Sequence, residues 1–162
     1  MSAIRRVLPY APLALLVALS AAPFLVSAEP QGGAISIEDA YARASSPTAK
    51  SGAAFMLIVN TGDLDDRLIS VQSGAAARVE IHTHIEDANG VMRMVAVEDG
   101  IVVPAGGVAT LARGGDHIMF MGLTEPFEHD STVAVTFEFE SGAQVEAEIL
   151  IDMDRLDTGA TN

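Results

Sequence analysis

Residues 133–151 read VAVTFEFESGAQVEAEILI, and this stretch decides the fold class. Apolar and polar side chains alternate over residues 136–140 and again over 144–149, on the two sides of a Ser141-Gly142 turn. A period of two residues places all the apolar side chains of a strand on one face. The stretch therefore predicts a β-hairpin with one buried face and one solvent-exposed face.

The same pattern extends through the rest of the chain. Clusters of Gly, Asn, Asp and Pro separate short apolar segments at intervals of roughly ten residues. The predicted strands cover residues 40–43, 53–60, 67–72, 78–85, 91–97, 108–111, 117–123, 133–139 and 145–151. We therefore expect a single all-β domain, folded as an antiparallel β-sandwich or barrel.

The N-terminal residues have the features of a secretory signal peptide. Arg5 and Arg6 precede a largely apolar run over residues 7–26, and Val26-Ser27-Ala28 resembles a cleavage site. An uncleaved anchor is the alternative, because about 20 apolar residues can span a bilayer. Prolines within the run favour cleavage, and we expect no stable membrane insertion once the signal peptide is removed.

These features divide the chain into four segments. Residues 1–28 form the predicted signal peptide, 29–39 an N-terminal lead, 40–151 the β-sandwich domain and 152–162 a polar C-terminal tail. The organisation predicts a protein that is exported to the periplasm.

The composition excludes several classes of function. The 162 residues include 22 acidic and 9 basic side chains, which give a formal charge of −13, and Lys50 is the one lysine. Nucleic acids and anionic membrane surfaces are therefore poor partners, because both require clustered cations. The chain contains no cysteine. This absence excludes disulfides, thiolate catalysis, a blue-copper site and a lipid-bearing cysteine within these residues.

Histidines and methionines are concentrated in two parts of the sequence. His82-Thr83-His84 is followed by Met92-Arg93-Met94, and His117-Ile118-Met119-Phe120-Met121 comes later. In a strand, residues two apart share a face, so the His and Met side chains of each segment project together. An Asn89-Gly90 step between the first two motifs predicts a hairpin that brings their strands side by side.

Imidazole nitrogens together with thioether sulfurs are an unusual donor set. Thioethers are soft, neutral ligands that select monovalent copper over zinc, calcium or magnesium. They also need no deprotonation before they bind a metal. The competing interpretation is structural, since methionines on a strand face commonly fill space in a core. From the residues alone both interpretations stay open.

Other polar clusters give weaker signals. Asp63, Asp65 and Asp66 lack the glycine and the distant glutamate of a calcium loop, so a solvated turn is expected there. His129 lies between two acidic residues and is expected in an exposed loop. Glu80 shares a strand face with His82, and either orients the ring of that histidine or is a plain surface residue.

Around the His and Met motifs, the chain resembles the periplasmic copper chaperones of the PCu(A)C family. That family has a His, a Met about a dozen residues later and a His-x-Met roughly twenty residues further on. Here His82 is followed by Met94 after eleven residues, and His117-Ile118-Met119 follows after twenty-two more. The segments VEIHT (79–83), GVMRM (90–94), PAGG (104–107) and GGDHIMFMGL (114–123) match as well, and the resemblance spans approximately residues 40–151.

The resemblance implies a cupredoxin-like β-sandwich with a surface Cu(I) site, whose ligands are His82, Met94, His117 and Met119. It implies a non-enzymatic copper carrier that transfers the ion by ligand exchange to a receiving protein, the copper centre of a respiratory oxidase, alongside a thiol-bearing copper chaperone. His84 stands where many members have a different residue, often Met, and is either an extra ligand or only a neighbour. The tail lacks the His- and Met-rich extension of some relatives, so a separate Cu(II) site is not implied.

Two other functions compete with a copper carrier. A cupin-type metalloenzyme is suggested by His82-x-His84 with Glu86 and a later Pro104-x-Gly106, but Ala109 stands where that motif needs another His. The other alternative is an interaction domain whose methionines form a docking patch. The enzyme alternative predicts activity or metal binding that survives substitution of the methionines. The interaction domain predicts partner binding that is independent of copper and insensitive to His82→Ala.

Overall fold

The computed structural model describes residues 34–155, which form ten β-strands. In chain order the strands are β1 (Ile35–Ala44), β2 (Ser51–Asn60), β3 (Asp66–Gln72), β4 (Ala76–Glu86), β5 (Met92–Ala96), β6 (Ile101–Val103), β7 (Val108–Leu111), β8 (His117–Leu123), β9 (Thr132–Phe139) and β10 (Gln144–Ile151). None of the described residues forms a helix long and apolar enough to cross a bilayer. The predicted signal peptide, the first part of the lead and the end of the tail lie outside the described residues.

The strands form one hydrogen-bonded sheet. Its order is β5-β4-β8-β2-β1-β10-β9-β3-β6, and β7 pairs with β2 beyond the end of β8. Neighbouring strands are antiparallel apart from β1 and β10, which run parallel. The all-β prediction is therefore confirmed, with this one parallel pair added to an otherwise antiparallel sheet.

The sheet folds over on itself around one hydrophobic core. Leu68 of β3, Phe120 of β8 and Phe137 of β9 are completely buried and belong to the same cluster, although their strands are far apart in the sheet order. A flat sheet cannot bring such residues together, so its inner faces enclose the core as in a sandwich. The opposite face of β4, β5 and β8 carries the His and Met side chains.

The hairpin that decides the fold class is present. β9 and β10 pair from Gln144 opposite Glu138 onward, and Gly142 closes the turn with a φ of 87° and an N–H donated to the carbonyl of Phe139. Val135, Phe137 and Phe139 are buried, whereas the glutamates of β10 are exposed. The alternating pattern thus gives one wet and one buried face, as predicted.

Two departures from the predicted strands exceed shifts of one or two residues at a strand end. β6 was not predicted, because three residues between Gly100 and Pro104 are too few to display a period. β1 begins at Ile35, inside the predicted lead. The sequence did not reveal this start, because a bulge between Glu38 and Tyr41 breaks the alternation that marks a strand. Asp39, at the bulge, has a φ of 49°.

Packing beneath β8 fixes the orientation of the strand that carries His117. Ile118 and Phe120 point into the core, and the Phe120 ring makes an edge contact with Phe127 at 5.4 Å between centroids. Gly52 on β2 allows this packing, since a Cβ atom there would lie 2.5 Å from the Phe127 ring. With the even-numbered residues of β8 held inward, the odd-numbered His and Met residues face outward.

Candidate metal centre

The β4–β5 hairpin places Met94 directly opposite His84. Its turn is built by Asp87, whose backbone N–H donates to the carbonyl of Val91 and whose carbonyl accepts the N–H of Gly90. Gly90 has a φ of 79°, a conformation that favours glycine. The hairpin predicted from the Asn-Gly step is therefore confirmed.

β8 lies on the other side of β4 and completes the face. His82 is directly opposite His117, and Met119 is opposite Glu80. Directly opposed residues of antiparallel strands point to the same side of the sheet. All four predicted ligands therefore share one face: His82, Met94, His117 and Met119.

Three imidazole rings form the centre of this face. The His84 ring stacks on that of His117 with 5.1 Å between centroids, and the His82 ring meets the His117 ring edge-on at 6.1 Å. Sequence reasoning left the role of His84 open. The register shows that His84 occupies the corner between Met94 and His117, so it belongs to the cluster.

Neighbouring aromatic rings cover His117 from the β2 side. Phe55 lies 6.1 Å from the His117 ring and 5.2 Å from the ring of Tyr41, over which the guanidinium of Arg155 lies at 4.3 Å. His117 is consequently only 2% exposed. The start of the predicted polar tail thus packs on β1 and helps to enclose the site.

The environment keeps His117 neutral. Burial lowers the pKa of its imidazole, and the nearby His84 and His82 rings lower it further. The hydrogen bond to Gly115 and the charge of Asp116 raise the pKa, but the net shift is downward. His117 Nδ1 lies 2.9 Å from the Gly115 carbonyl oxygen, which can only accept. Nδ1 therefore carries the proton, and the lone pair of Nε2 is left for another partner.

The other two imidazoles each keep a buried nitrogen without a hydrogen-bond partner. Nδ1 of His82 and Nδ1 of His84 are both in this state. His82 Nε2 binds Glu80 Oε2 at 2.9 Å, and Glu80 in turn pairs with Arg78 at 3.2 Å. Glu80 thus orients the His82 ring, one of its two anticipated roles. Buried polar atoms are nearly always paired with a partner. The two unpaired nitrogens are therefore suited to act as metal ligands.

The methionines on this face differ in their surroundings. Met94 is 44% exposed and Met119 is half-buried. Met121 Sδ accepts a hydrogen bond from Arg78 at 3.5 Å, whereas Met92 is 54% exposed at the edge of the sheet. The two predicted thioether ligands lie on opposite flanks of the imidazole cluster, Met94 beside His84 and Met119 beside His117.

The donor set of this face is mixed. Within residues 34–155, no three His, Asp or Glu side chains are already grouped to hold a metal ion by themselves. The His and Met residues fit a soft ion, because imidazole and thioether are both neutral donors with an affinity for Cu(I). Glu80, whose carboxylate binds His82, is already paired with Arg78 as well.

The remaining candidates lie apart from this cluster. Asp65 accepts the N–H of Ala105, and Asp66 bonds to Ser141, so the aspartate run forms structural turn contacts. The His129 ring approaches Asp130 at 3.5 Å and accepts the N–H of Met153. Ala109 is buried in β7, so the fourth donor of a cupin-type site is missing, as the sequence indicated.

Asp87 is expected to make the hairpin that carries Met94 sensitive to acid. Its pKa is lowered because its carboxylate accepts the backbone N–H groups of Asn89 and Val91, with Arg93 pairing at 3.0 Å. The stabilisation is therefore complete above the unfolded-state pKa of about 3.9 and is lost as the pH falls through the lower folded pKa. Amide chemical shifts of Asn89 and Val91 should titrate below about pH 4.

Asp87→Asn supplies the control for this titration. The amide side chain can still accept an N–H but carries no ionisable proton, so the acid transition at those two amides should disappear. If both amides titrate identically in the variant, Asp87 does not control the turn.

Comparisons with known proteins identify a family and a relative of this chain. The family model described as "Putative lipoprotein LpqE-like" matches residues 35–151. A protein of Leifsonia xyli subsp. xyli, named "Putative lipoprotein Lxx21020", is 34% identical over 115 residues, which are 70% of this chain. The matched part spans 66% of that relative's length.

Solved structures of PCuAC domains are also similar. The copper-bound PCuAC domain from PmoF2 superposes with a TM-score of 0.60 at 26% identity, over 75% of this chain and 94% of that domain. The solution structure of CuI-DR1885 from Deinococcus radiodurans superposes with a TM-score of 0.58 at 25% identity, over 77% of this chain and 84% of that one. The apo PCuAC domain from PmoF1 has a TM-score of 0.64 at 22% identity, over 75% of this chain and 95% of that domain. This similarity shows that the two share a fold. The chain therefore belongs to the LpqE-like family, and its fold is that of the PCuAC domains.

Proposed function

We propose that this chain is an exported, non-enzymatic carrier of Cu(I). The observation that carries the proposal is the imidazole cluster of His82, His84 and His117, which contains two buried nitrogens without partners and is flanked by the thioethers of Met94 and Met119. The similarity to a copper-bound PCuAC domain at 26% identity supports the choice of metal.

In this proposal, His82, Met94, His117 and Met119 hold one Cu(I) ion. His117 presents Nε2 because its Nδ1 is bound to the Gly115 carbonyl, and His82 presents Nδ1 because its Nε2 is bound to Glu80. Both imidazoles bind in the neutral form, and the thioethers have no proton to lose. Burial lowers the pKa of His117 and so favours the neutral form that binds the metal.

Release follows from the different exposure of the ligands. Met94 is 44% exposed on a five-residue edge strand, whereas His117 is buried. An incoming ligand from a receiving protein can therefore displace the Met94 sulfur first while the imidazoles still hold the ion. Stepwise exchange of this kind suits a carrier, since no naked ion has to leave into water.

The location of the protein and the destination of its copper are also part of the proposal. Residues 1–28 have the features of a signal peptide, and the matching family and relative are both described as lipoproteins. This chain contains no cysteine, so no residue of it can carry the lipid of a bacterial lipoprotein. We place the protein in the periplasm, where it would deliver copper to a respiratory oxidase subunit, alongside a thiol-bearing copper chaperone.

An anaerobic Cu(I) titration of residues 29–162 against a chromophoric chelator tests the proposal. We expect one tightly bound Cu(I) per chain, and transfer of that ion to an added oxidase copper-binding domain faster than its dissociation into buffer. Absence of stoichiometric binding would refute the carrier function. Binding without transfer would refute the proposed recipient but not the metal site.

A further inference from the structure

The residues that directly follow the last strand pack against β1, next to the rings that cover His117. We infer that this segment, residues 152–155 (the strap), positions His117 for metal binding, and that Arg155 is its positioning residue. The inference rests on the proposed function, because it concerns a ligand of the same Cu(I) site.

Hydrogen bonds fix the strap along β1. The Asp152 N–H donates to the carbonyl of Ala42 at 2.9 Å, and the Ala44 N–H donates to Met153 Sδ at 3.4 Å. Asp152 Oδ1 also accepts the N–H of Arg155 at 2.9 Å, which closes a turn within the segment. The strap is therefore an ordered part of the fold, and the turn sets the position from which the Arg155 side chain starts.

A row of packed rings connects Arg155 to His117. The guanidinium lies over the ring of Tyr41, Tyr41 contacts Phe55, and Phe55 contacts the His117 ring. Tyr41 and Phe55 are 5% and 7% exposed, so both are enclosed almost as fully as His117. Closely packed side chains have few voids into which they can shift, so a constraint on the first ring also constrains the last.

The bulge in β1 supplies the partner that holds Arg155 in place. Arg155 Nη2 donates to Asp39 Oδ2 at 2.6 Å, and this pairing lowers the pKa of Asp39 and raises that of Arg155. Asp39 has a φ of 49°, which is uncommon for a residue other than glycine. Unfavourable backbone conformations of this kind are concentrated where a structure needs a side chain in one place. Here the conformation aims the carboxylate at the guanidinium above Tyr41.

The constraint matters because of how the His117 ring is held. The Gly115 carbonyl binds Nδ1, and Phe55 contacts the ring from the β2 side, so Nε2 keeps one direction. Without Arg155, Tyr41 and Phe55 are held less firmly and the His117 ring samples more orientations. The apparent affinity for a metal ion then falls in proportion to the time that Nε2 spends in the binding orientation.

The test compares Arg155→Ala with wild type, first without metal and then in anaerobic Cu(I) competition with a chelator. In the metal-free protein, the NMR signals of the His117 and Phe55 rings should shift, because ring-current effects depend on the distance between the two rings. The signals of the β4 backbone should stay unchanged. Cu(I) affinity should fall about 10-fold, the lower end of the range for outer-sphere partners of a metal ligand.

Asp39→Gly separates positioning from folding. Glycine adopts a positive φ without strain, so the bulge is kept while the carboxylate that holds Arg155 is lost. We expect the same shift of the His117 ring signals and a similar loss of Cu(I) affinity in this variant. A fold that is intact by circular dichroism, together with wild-type ring signals, would contradict the role given to the ion pair.

Arg67→Ala is the matched control. The Arg67 and Arg155 side chains are 36% and 33% exposed, and Arg67 likewise pairs with a carboxylate, that of Glu140, but on β3 near the far edge of the sheet. Its Cu(I) affinity should stay within about 3-fold of wild type.

Unchanged His117 ring signals in Arg155→Ala would overturn the inference, and so would shifted signals with unchanged Cu(I) affinity. Equal losses of Cu(I) affinity in Arg155→Ala and Arg67→Ala would also overturn it. Absence of Cu(I) binding by the wild type would instead refute the proposed function. The metal-free ring signals would still decide whether the strap positions His117.

Discussion

Replacing both Met94 and Met119 by leucine is expected to remove tight Cu(I) binding. Leucine fills nearly the same volume but offers no sulfur, so the fold is kept while two soft donors are lost. Loss of a single outer-sphere partner costs about 10–100-fold in metal affinity, so two lost ligands should cost about 100-fold or more. Anaerobic competition with a Cu(I) chelator measures this change, and circular dichroism confirms the fold.

The double variant Met92→Leu plus Met121→Leu is the matched control. It also removes two thioethers from the same face, but Met121 Sδ is engaged by Arg78 and Met92 lies beyond His84, at the edge of the sheet. We expect its Cu(I) affinity to stay within about 3-fold of wild type, less than 1 kcal/mol. Equal loss in both double variants would contradict the assigned ligands. Unchanged binding in both would show that none of the four sulfurs holds the ion.

Phe120→Ala is expected to have the largest effect on stability. Phe120 is completely buried beneath β8 and makes an edge contact with Phe127. Truncation of a buried phenylalanine leaves a cavity and commonly costs about 3–5 kcal/mol in the free energy of unfolding. Urea unfolding of the metal-free protein, followed by circular dichroism, measures the loss.

Val102→Ala provides the comparison for Phe120→Ala. Val102 is 45% exposed on the edge strand β6, so its truncation should change the free energy of unfolding by about 0.5 kcal/mol or less. A loss for Phe120→Ala as small as this would show that the core under the metal face is not closely packed.

Much of the fold could be predicted because its strands alternate strongly. The bounds of β7 and β8 agree residue by residue with the prediction, since Gly106-Gly107 precedes β7 and Gly114-Gly115 separates β7 from β8. The start of β1 and the whole of β6 were missed. In β1 the bulge at Asp39 shifts the alternation, and in β6 only three residues are available to reveal it.

The site was predictable in composition but not in arrangement. Spacing within a strand shows which side chains share a face, and the Asn-Gly turn indicates that β4 and β5 pair. No local pattern indicates that β8 lies beside β4, or that His82 meets His117 in register, because that pairing depends on the whole sheet. The stacking of His84 on His117 follows from this register and was equally invisible in the sequence.

The parallel pairing of β1 with β10 has a consequence for biosynthesis. Tyr41 pairs with Leu150, and through this pair the strands β5-β4-β8-β2-β1 meet the strands β10-β9-β3-β6. A nascent polypeptide leaves the ribosome, and any translocation pore, with its N-terminus first. The two groups of strands therefore cannot pair with each other until β10 has emerged, and contacts so distant in sequence form slowly. During that interval the edge of β1 that later binds β10 presents unpaired backbone N–H and carbonyl groups.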